Sequence, residues 1–78
     1  MSVQYRLIVA KKDERIEGPD DAAIVVTAPI EAVSEDGFDA TVEYMRGRLK
    51  ATGHTGEILA LLHTGAATDA FLRLSAGV

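Results

Sequence analysis

Apolar and polar residues alternate along the first part of the chain. Every second side chain from Val3 to Val9 is apolar, which is typical of a β-strand that is covered on one face. A β-branched apolar run over Ala22–Thr27 predicts a second strand. The polar stretch between the two runs carries a turn signal at Gly18-Pro19-Asp20. We therefore expect the two strands to pair as an antiparallel hairpin.

Two helices are predicted after the second strand. The first begins at Pro29, whose fixed φ suits the first turn of a helix, and ends near Glu35. An Asp-Gly pair breaks it, and a longer helix follows over about Asp39–Arg46. In this longer helix we expect Val42 and Met45 to be buried.

A short strand is predicted over Arg48–Thr52, between two glycine breaks. Leu49 and Ala51 alternate there with charged or hydroxyl-bearing residues, so these two side chains can face a core. A lone strand that follows a helix needs an existing sheet to pair with. The sequence thus predicts an α+β fold, in which a small antiparallel sheet of about three strands carries helices on one face.

Residues 56–76 fit two different structures. Apolar residues recur at the helical spacing of i, i+3 and i+4, and Gly65 stands where a first helix would end. The alternative is a β-hairpin formed by Glu57–His63 and Asp69–Ser75. Leucine and alanine dominate both segments and β-branched residues are scarce, which favours two helices.

Several short segments follow one another in a characteristic order of apolar strand, helix, aromatic–methionine pair, basic strand, glycine and apolar helix. They are Ile24–Thr27, Ile30–Val33, Tyr44-Met45, Gly47–Lys50, Gly53 and Ile58–Leu62. This order resembles the C-terminal part of the sterol carrier protein superfamily of nonspecific lipid-transfer domains. The resemblance implies a truncated or minimal version of a fold whose sheet and helices enclose an apolar tunnel for fatty-acyl or sterol-like ligands.

The resemblance also implies which side chains would line such a tunnel. They are apolar residues of the predicted strands and helices, namely Ile24, Val26, Met45, Leu49, Ile58, Leu61, Leu62, Phe71 and Leu74. The alternative is that all of them simply form the core. A ligand cavity of the usual ~300–1,000 Å³ is a large void for so short a chain. A homodimer would supply the missing walls.

Composition narrows the class of protein. With 78 residues, the chain is expected to form one small domain over residues 1–78. It contains no cysteine, which fits a reducing compartment such as the cytoplasm. No apolar run approaches the ~20 residues of a membrane span, so we expect no such span.

Charge argues against nucleic acid as a partner. The net charge is −4, and most acidic residues lie in the first half of the chain, where they would repel a phosphate backbone. A few basic residues either form one local patch or are solvated faces of separate strands and helices. These residues are Lys11, Lys12, Arg46, Arg48 and Lys50.

Residues suited to catalysis or metal binding are few. His54 and His63 are the only imidazoles, and they lie near opposite ends of a predicted helix, too far apart to share a metal ion. We therefore expect no enzyme activity, no metal and no cofactor. The sequence favours a small sterol-carrier-like module that binds a hydrophobic ligand. The alternative is a non-catalytic interaction domain on the same scaffold, which would use an exposed sheet face or edge, for example as a homodimer without ligand.

Overall fold

The computed structural model describes residues 2–76. Along the chain, the elements are β1 (Val3–Ala10), β2 (Asp13–Glu17), β3 (Ile24–Pro29), α1 (Ile30–Val33), α2 (Ala40–Met45), β4 (Lys50–Thr52), α3 (Thr55–His63) and α4 (Ala66–Ser75). The strands form one sheet, and α1 and α4 pack on it while α2 and α3 pack on each other and on α4. The predicted α+β class with helices on a small sheet is confirmed.

The sheet has four strands in the order β2-β1-β3-β4. Strand β1 pairs in parallel with β3, with Val3 opposite Ile24, whereas the β1–β2 and β3–β4 pairs are antiparallel. The predicted antiparallel hairpin of the first two apolar runs is therefore wrong, and the sheet is mixed. The hairpin partner of β1 is β2, which the sequence predicts as a loop. Strand β2 lies at the edge with most of its residues exposed, and Ile16 is its only apolar residue, so it shows no period-2 pattern.

The connection from β2 to β3 explains the parallel pairing. After β2 the chain crosses the start of β1, where Gly18 adopts a φ of 111° and a Cβ would collide with the carbonyl oxygen of Val3. The Gln4 side chain fixes this crossing by donating a hydrogen bond to the Pro19 carbonyl (3.1 Å) and one to the Asp20 carboxylate (3.2 Å). The crossing thus brings β3 to the far side of β1, in the same direction.

Aromatic packing marks the centre of the core. Phe71 on α4 has 0% of its surface exposed. Its ring meets those of Tyr5 and Phe38 edge to face, with centroids 5.7 and 6.3 Å away. Burial raises the pKa of the Tyr5 phenol, and the nearby Glu17 carboxylate adds to the effect. Helix α4 is therefore held against the sheet through its own aromatic residue.

Helix α2 turns a different face to the core from the one predicted. The sequence predicts Val42 and Met45 as buried, but they are 42% and 78% exposed, and Ala40 and Glu43 are the buried residues of the helix. The start of the helix sets this orientation, because the Ala40 N–H donates to the Thr68 hydroxyl of α4 at 2.9 Å. The first turn is thus fixed against α4, and the expected apolar pair faces outward.

The C-terminal region forms the two predicted helices and not the alternative hairpin, with Gly65 between them. The strand before them is shorter than the predicted Arg48–Thr52. Its faces are as expected, since Leu49 is buried and Ala51 packs against the core. Gly53 ends the strand with a φ of 133°, where a Cβ would lie 2.9 Å from the Ala23 carbonyl oxygen.

Candidate functional site

The predicted tunnel residues mostly lie together in the core. Seven of them are buried in one cluster between the sheet and the helices, namely Ile24, Val26, Leu49, Ile58, Leu61, Leu62 and Phe71. Leu74 is partly buried and packs against this cluster, whereas Met45 lies on the exposed side of α2. The seven core residues and Leu74 thus share one region, from which Met45 is absent. Their role as a ligand lining stays a prediction.

The opposite face of the sheet is covered by none of the described helices. Strand alternation and pairing register place a second set of side chains there. They are Gln4, Arg6, Ile8, Glu14, Ile16, Val25, Thr27, Pro29, Lys50 and Thr52. We call this surface the open face. The loop at residues 18–22 covers it only at the start of β1, where Gln4 is buried.

A cavity of about 270 Å³ lies at the uncovered end of the open face, and we call it the Ile8 cavity. It is lined by Ile8, Thr27, Pro29, Arg48 and Lys50. The parallel register places Ile8 opposite Pro29 at the ends of the two central strands. The antiparallel register places Thr27 opposite Lys50 one row away. The cavity therefore combines an apolar row with a row that carries a hydroxyl and an ammonium group.

A second cavity of about 230 Å³ adjoins the first at the β1–β2 turn. Its lining is Ile8, Ala10, Lys11, Lys12, Asp13 and Glu14. Ile8 thus lies between the two cavities. The sequence assigns the basic residues either to one patch or to separate faces. The structure partly brings them together, since the two linings contain all of them except Arg46.

Arg48 is held by two carboxylates. Its terminal nitrogens donate to both oxygens of Glu35 at 2.9 and 3.0 Å, and its Nε lies 3.3 Å from the buried Glu43 carboxylate. The hydrogen bonds from Arg48 lower the pKa of the Glu35 carboxyl, although both groups lie at the surface. The Arg48 charge is therefore balanced by its own neighbours.

Lys50 differs from Arg48 in this respect. It is exposed, and within residues 2–76 no carboxylate lies at salt-bridge distance from its ammonium group. The other cation of the open face, Arg6, lies 3.4 Å from Glu14. Lys50 is thus the cation of the Ile8 cavity that has no acidic partner in the described part of the chain.

Sequence reasoning missed the apolar floor of this cavity. A signal for it exists, because Ile8 interrupts the alternation of β1 by placing an apolar side chain on the face that carries Gln4 and Arg6. The contributions of Thr27 and Pro29 follow only from the pairing of β3 with both of its neighbours.

Other features of the described chain point to neither a metal nor a membrane span. Among residues 2–76, no group of three or more histidine, cysteine or carboxylate side chains is placed to hold a metal ion. His54 precedes the first turn of α3 and His63 ends it. In the same range, every helix is too short or too polar to traverse a bilayer.

Comparison with known proteins gives a structural likeness and no match in sequence. No family model and no curated protein matches the chain. Among solved structures, the chain is similar to sterol carrier protein 2 from Yarrowia lipolytica in its apo form, with a TM-score of 0.49 and 16% sequence identity. The match covers 99% of this chain and 70% of that chain.

Proposed function

We propose that this chain is a small non-catalytic module that binds a hydrophobic ligand of the fatty-acyl or sterol-like class, and that the Ile8 cavity is its site. The observation that carries the proposal is an accessible, largely apolar concavity on a sheet face that none of the described helices covers, with Ile8 and Pro29 as its floor. Apolar concavities with a few polar groups are the usual form of small-molecule sites.

The size of the cavity indicates how the ligand binds. Its volume of about 270 Å³ lies near the lower end of the ~300–1,000 Å³ typical of ligand pockets. Part of a fatty-acyl chain or of a fused-ring ligand would therefore stay in contact with solvent. We expect an affinity in the micromolar range or weaker, because the apolar area removed from water must also offset the entropy lost on association.

The core offers an alternative position for the same class of ligand, lined by the residues that the sequence resemblance implies. Phe71 fills the centre of that region and contacts Tyr5 on the sheet. A ligand there would have to separate α4 from the sheet and displace packed side chains, which is costly in a well-packed core. The Ile8 cavity needs no such rearrangement, and we therefore place the ligand on the open face.

Isoleucine methyl groups distinguish the two positions in one titration. Protein labelled at the isoleucine δ1-methyl groups would be titrated with decanoate and followed by NMR. Ile8 lies in the open-face cavity, whereas Ile24 and Ile58 are buried in the core. We expect the Ile8 signal to move while those of Ile24 and Ile58 stay in place. Movement confined to Ile24 and Ile58 would put the ligand in the core, and no movement of any of these signals would refute the proposed function.

The open face also favours a second candidate function, an interface with another protein or a second copy of the chain. Ile16 is 42% exposed there, one row from Ile8 on the uncovered side of the sheet. A contiguous apolar patch on an exposed face marks association surfaces, and Ile16 together with Ile8 would form the centre of such a patch. Sedimentation velocity at increasing concentration would test self-association. A dimer that Ile16→Lys converts to a monomer would support this function, whereas a wild-type monomer would exclude a homodimer.

A further inference from the structure

We infer that the Ile8 cavity selects amphipathic ligands with an anionic end, and that Lys50 determines this selectivity. The inference rests on the proposed function and adds a ligand class to it. It places the anionic group at the Thr27–Lys50 row and the apolar segment of the ligand over the Ile8–Pro29 row.

The charges around the cavity favour an anionic group beside Lys50. Among residues 2–76, its lining contains two cations and no carboxylate. Arg48 is compensated by Glu35 and by Glu43, so its charge has little left to offer a ligand. Lys50 has no such partner within the described residues. An anionic group would therefore find its most favourable position beside Lys50.

The acidic character of the chain makes a site for an anion uncommon on its surface. The formal net charge is −4, so the summed field of the protein disfavours an anion. The neighbouring turn cavity differs in its lining, where Asp13 and Glu14 stand beside Lys11 and Lys12. The Ile8 cavity thus combines an apolar surface with an unpaired cation, and no carboxylate of the described residues lines it.

The sheet register places the polar Thr27–Lys50 row directly beside the apolar Ile8–Pro29 row. Thr27 and Lys50 are directly opposite on antiparallel strands, where Cβ atoms lie about 4.5–5.5 Å apart. A carboxylate oxygen between them can accept a hydrogen bond from the ammonium group and another from the Thr27 hydroxyl. Pro29 follows Thr27 on the same face about 6.5 Å along the strand, opposite Ile8. A chain attached to that carboxylate therefore runs directly onto the apolar row.

A pair of ligands that differ only in their end group tests the inference. Decanoate and decan-1-ol have equal chain length, and the Ile8 methyl shift reports the binding of each. We expect the wild type to bind decanoate about three- to fivefold more tightly than the alcohol, which is the strength of an exposed charge contact. The preference should decline at high salt, because ions screen exposed charges.

Variants assign the selectivity to one side chain. Lys50→Gln should remove the preference, because it lowers the affinity for decanoate several-fold more than the affinity for the alcohol. Lys50→Arg should retain the preference. Arg46→Gln is the matched control, since it removes a surface cation that lies outside both cavity linings.

The outcomes separate the inference from the function on which it rests. If neither ligand binds the wild type, the proposed function fails. If both bind with equal affinity, the function stands and the anionic preference is refuted. If the preference persists in Lys50→Gln, or disappears equally in Arg46→Gln, Lys50 does not determine it.

Discussion

At the scale of the residue, Arg48 joins three parts of the chain. Its guanidinium contacts Glu35 just after α1 and Glu43 within α2, while its own backbone leads into β4. Such a bidentate pair fixes geometry even where it contributes little stability at the surface. The wall of the Ile8 cavity beside α1 is therefore held by an ion-pair cluster and not by packing alone.

The Glu35–Arg48 pair predicts a specific pH dependence. The folded state lowers the pKa of Glu35, so this pair stabilises the fold above the unfolded-state pKa of about 4.5 and loses its effect as the pH falls through the lower folded value. We expect Glu35→Gln to remove this part of the acid sensitivity. Urea unfolding of the wild type and of Glu35→Gln between pH 6 and pH 3 measures how the free energy of unfolding of each depends on pH. Parallel stability profiles would show that the pair is not formed in solution.

Adjacent residues of the β4 segment should differ in their effect on stability. Leu49→Ala should lower the free energy of unfolding by about 2–5 kcal/mol, because the Leu49 side chain is buried in the core. Lys50→Ala should change it by no more than about 0.5 kcal/mol, because Lys50 is exposed. Urea midpoints of the two variants test this difference. Equal midpoints would mean that the faces of the strand are reversed.

At the scale of the element, α4 is attached to the sheet at several points. Phe71 anchors it in the core, Arg73 forms an ion pair with Glu17 of β2 at 2.8 Å, and Arg15 donates hydrogen bonds to the carbonyls of Leu74 and Ala76 at 3.0 Å. These polar contacts join α4 to the edge strand. The helix thus closes the core and holds β2 in place at the same time.

Two neighbouring residues test how α4 is anchored. Phe71→Ala should lower the free energy of unfolding by about 3–5 kcal/mol, since Phe71 is fully buried against two other rings. Leu72→Ala is the control in the same turn, because Leu72 is 47% exposed and should cost about 1 kcal/mol or less. Chemical denaturation followed by circular dichroism compares them. Similar losses would mean that α4 packs by a different face.

The elements differ in how far their sequences predict them. The two C-terminal helices and the faces of β4 follow from local spacing, and the structure confirms them. Strand β2 gave no local signal, because an exposed edge strand needs no apolar alternation. Without β2, the parallel pairing of β1 and β3 could not be foreseen. The floor of the Ile8 cavity depends on that pairing, so the sequence indicates its cations, either as one patch or as solvated faces, but not the site.

At the scale of the whole molecule, the two central strands are paired on both sides, while β2 and β4 each have one neighbour. The Phe71 cluster also packs on the central strands. The least stable parts of a fold open first, and edge strands are commonly among them. Stability should therefore decrease from the middle of the sheet towards its edges.

Hydrogen exchange tests this gradient. Amide protons of the sheet-bonded residues in β1 and β3 should exchange most slowly. The free energy of opening derived from their exchange should approach the global free energy of unfolding. Those of β2 and β4 should exchange faster, because their outer edges have no further strand in the described chain. NMR-detected exchange in D₂O provides the measurement. Equal protection in all four strands would indicate that the sheet opens only by global unfolding.

The two close glycine contacts have a consequence for recognising relatives of this chain. At Gly18 and at Gly53 the backbone passes so near to another strand that a side chain would strike a carbonyl oxygen. The positive φ at both positions adds a second reason for glycine. Divergent sequences can exchange core residues for others of similar volume, but they cannot easily replace these two glycines. Glycine at both positions is therefore a sharper criterion for this fold than overall similarity of its hydrophobic residues.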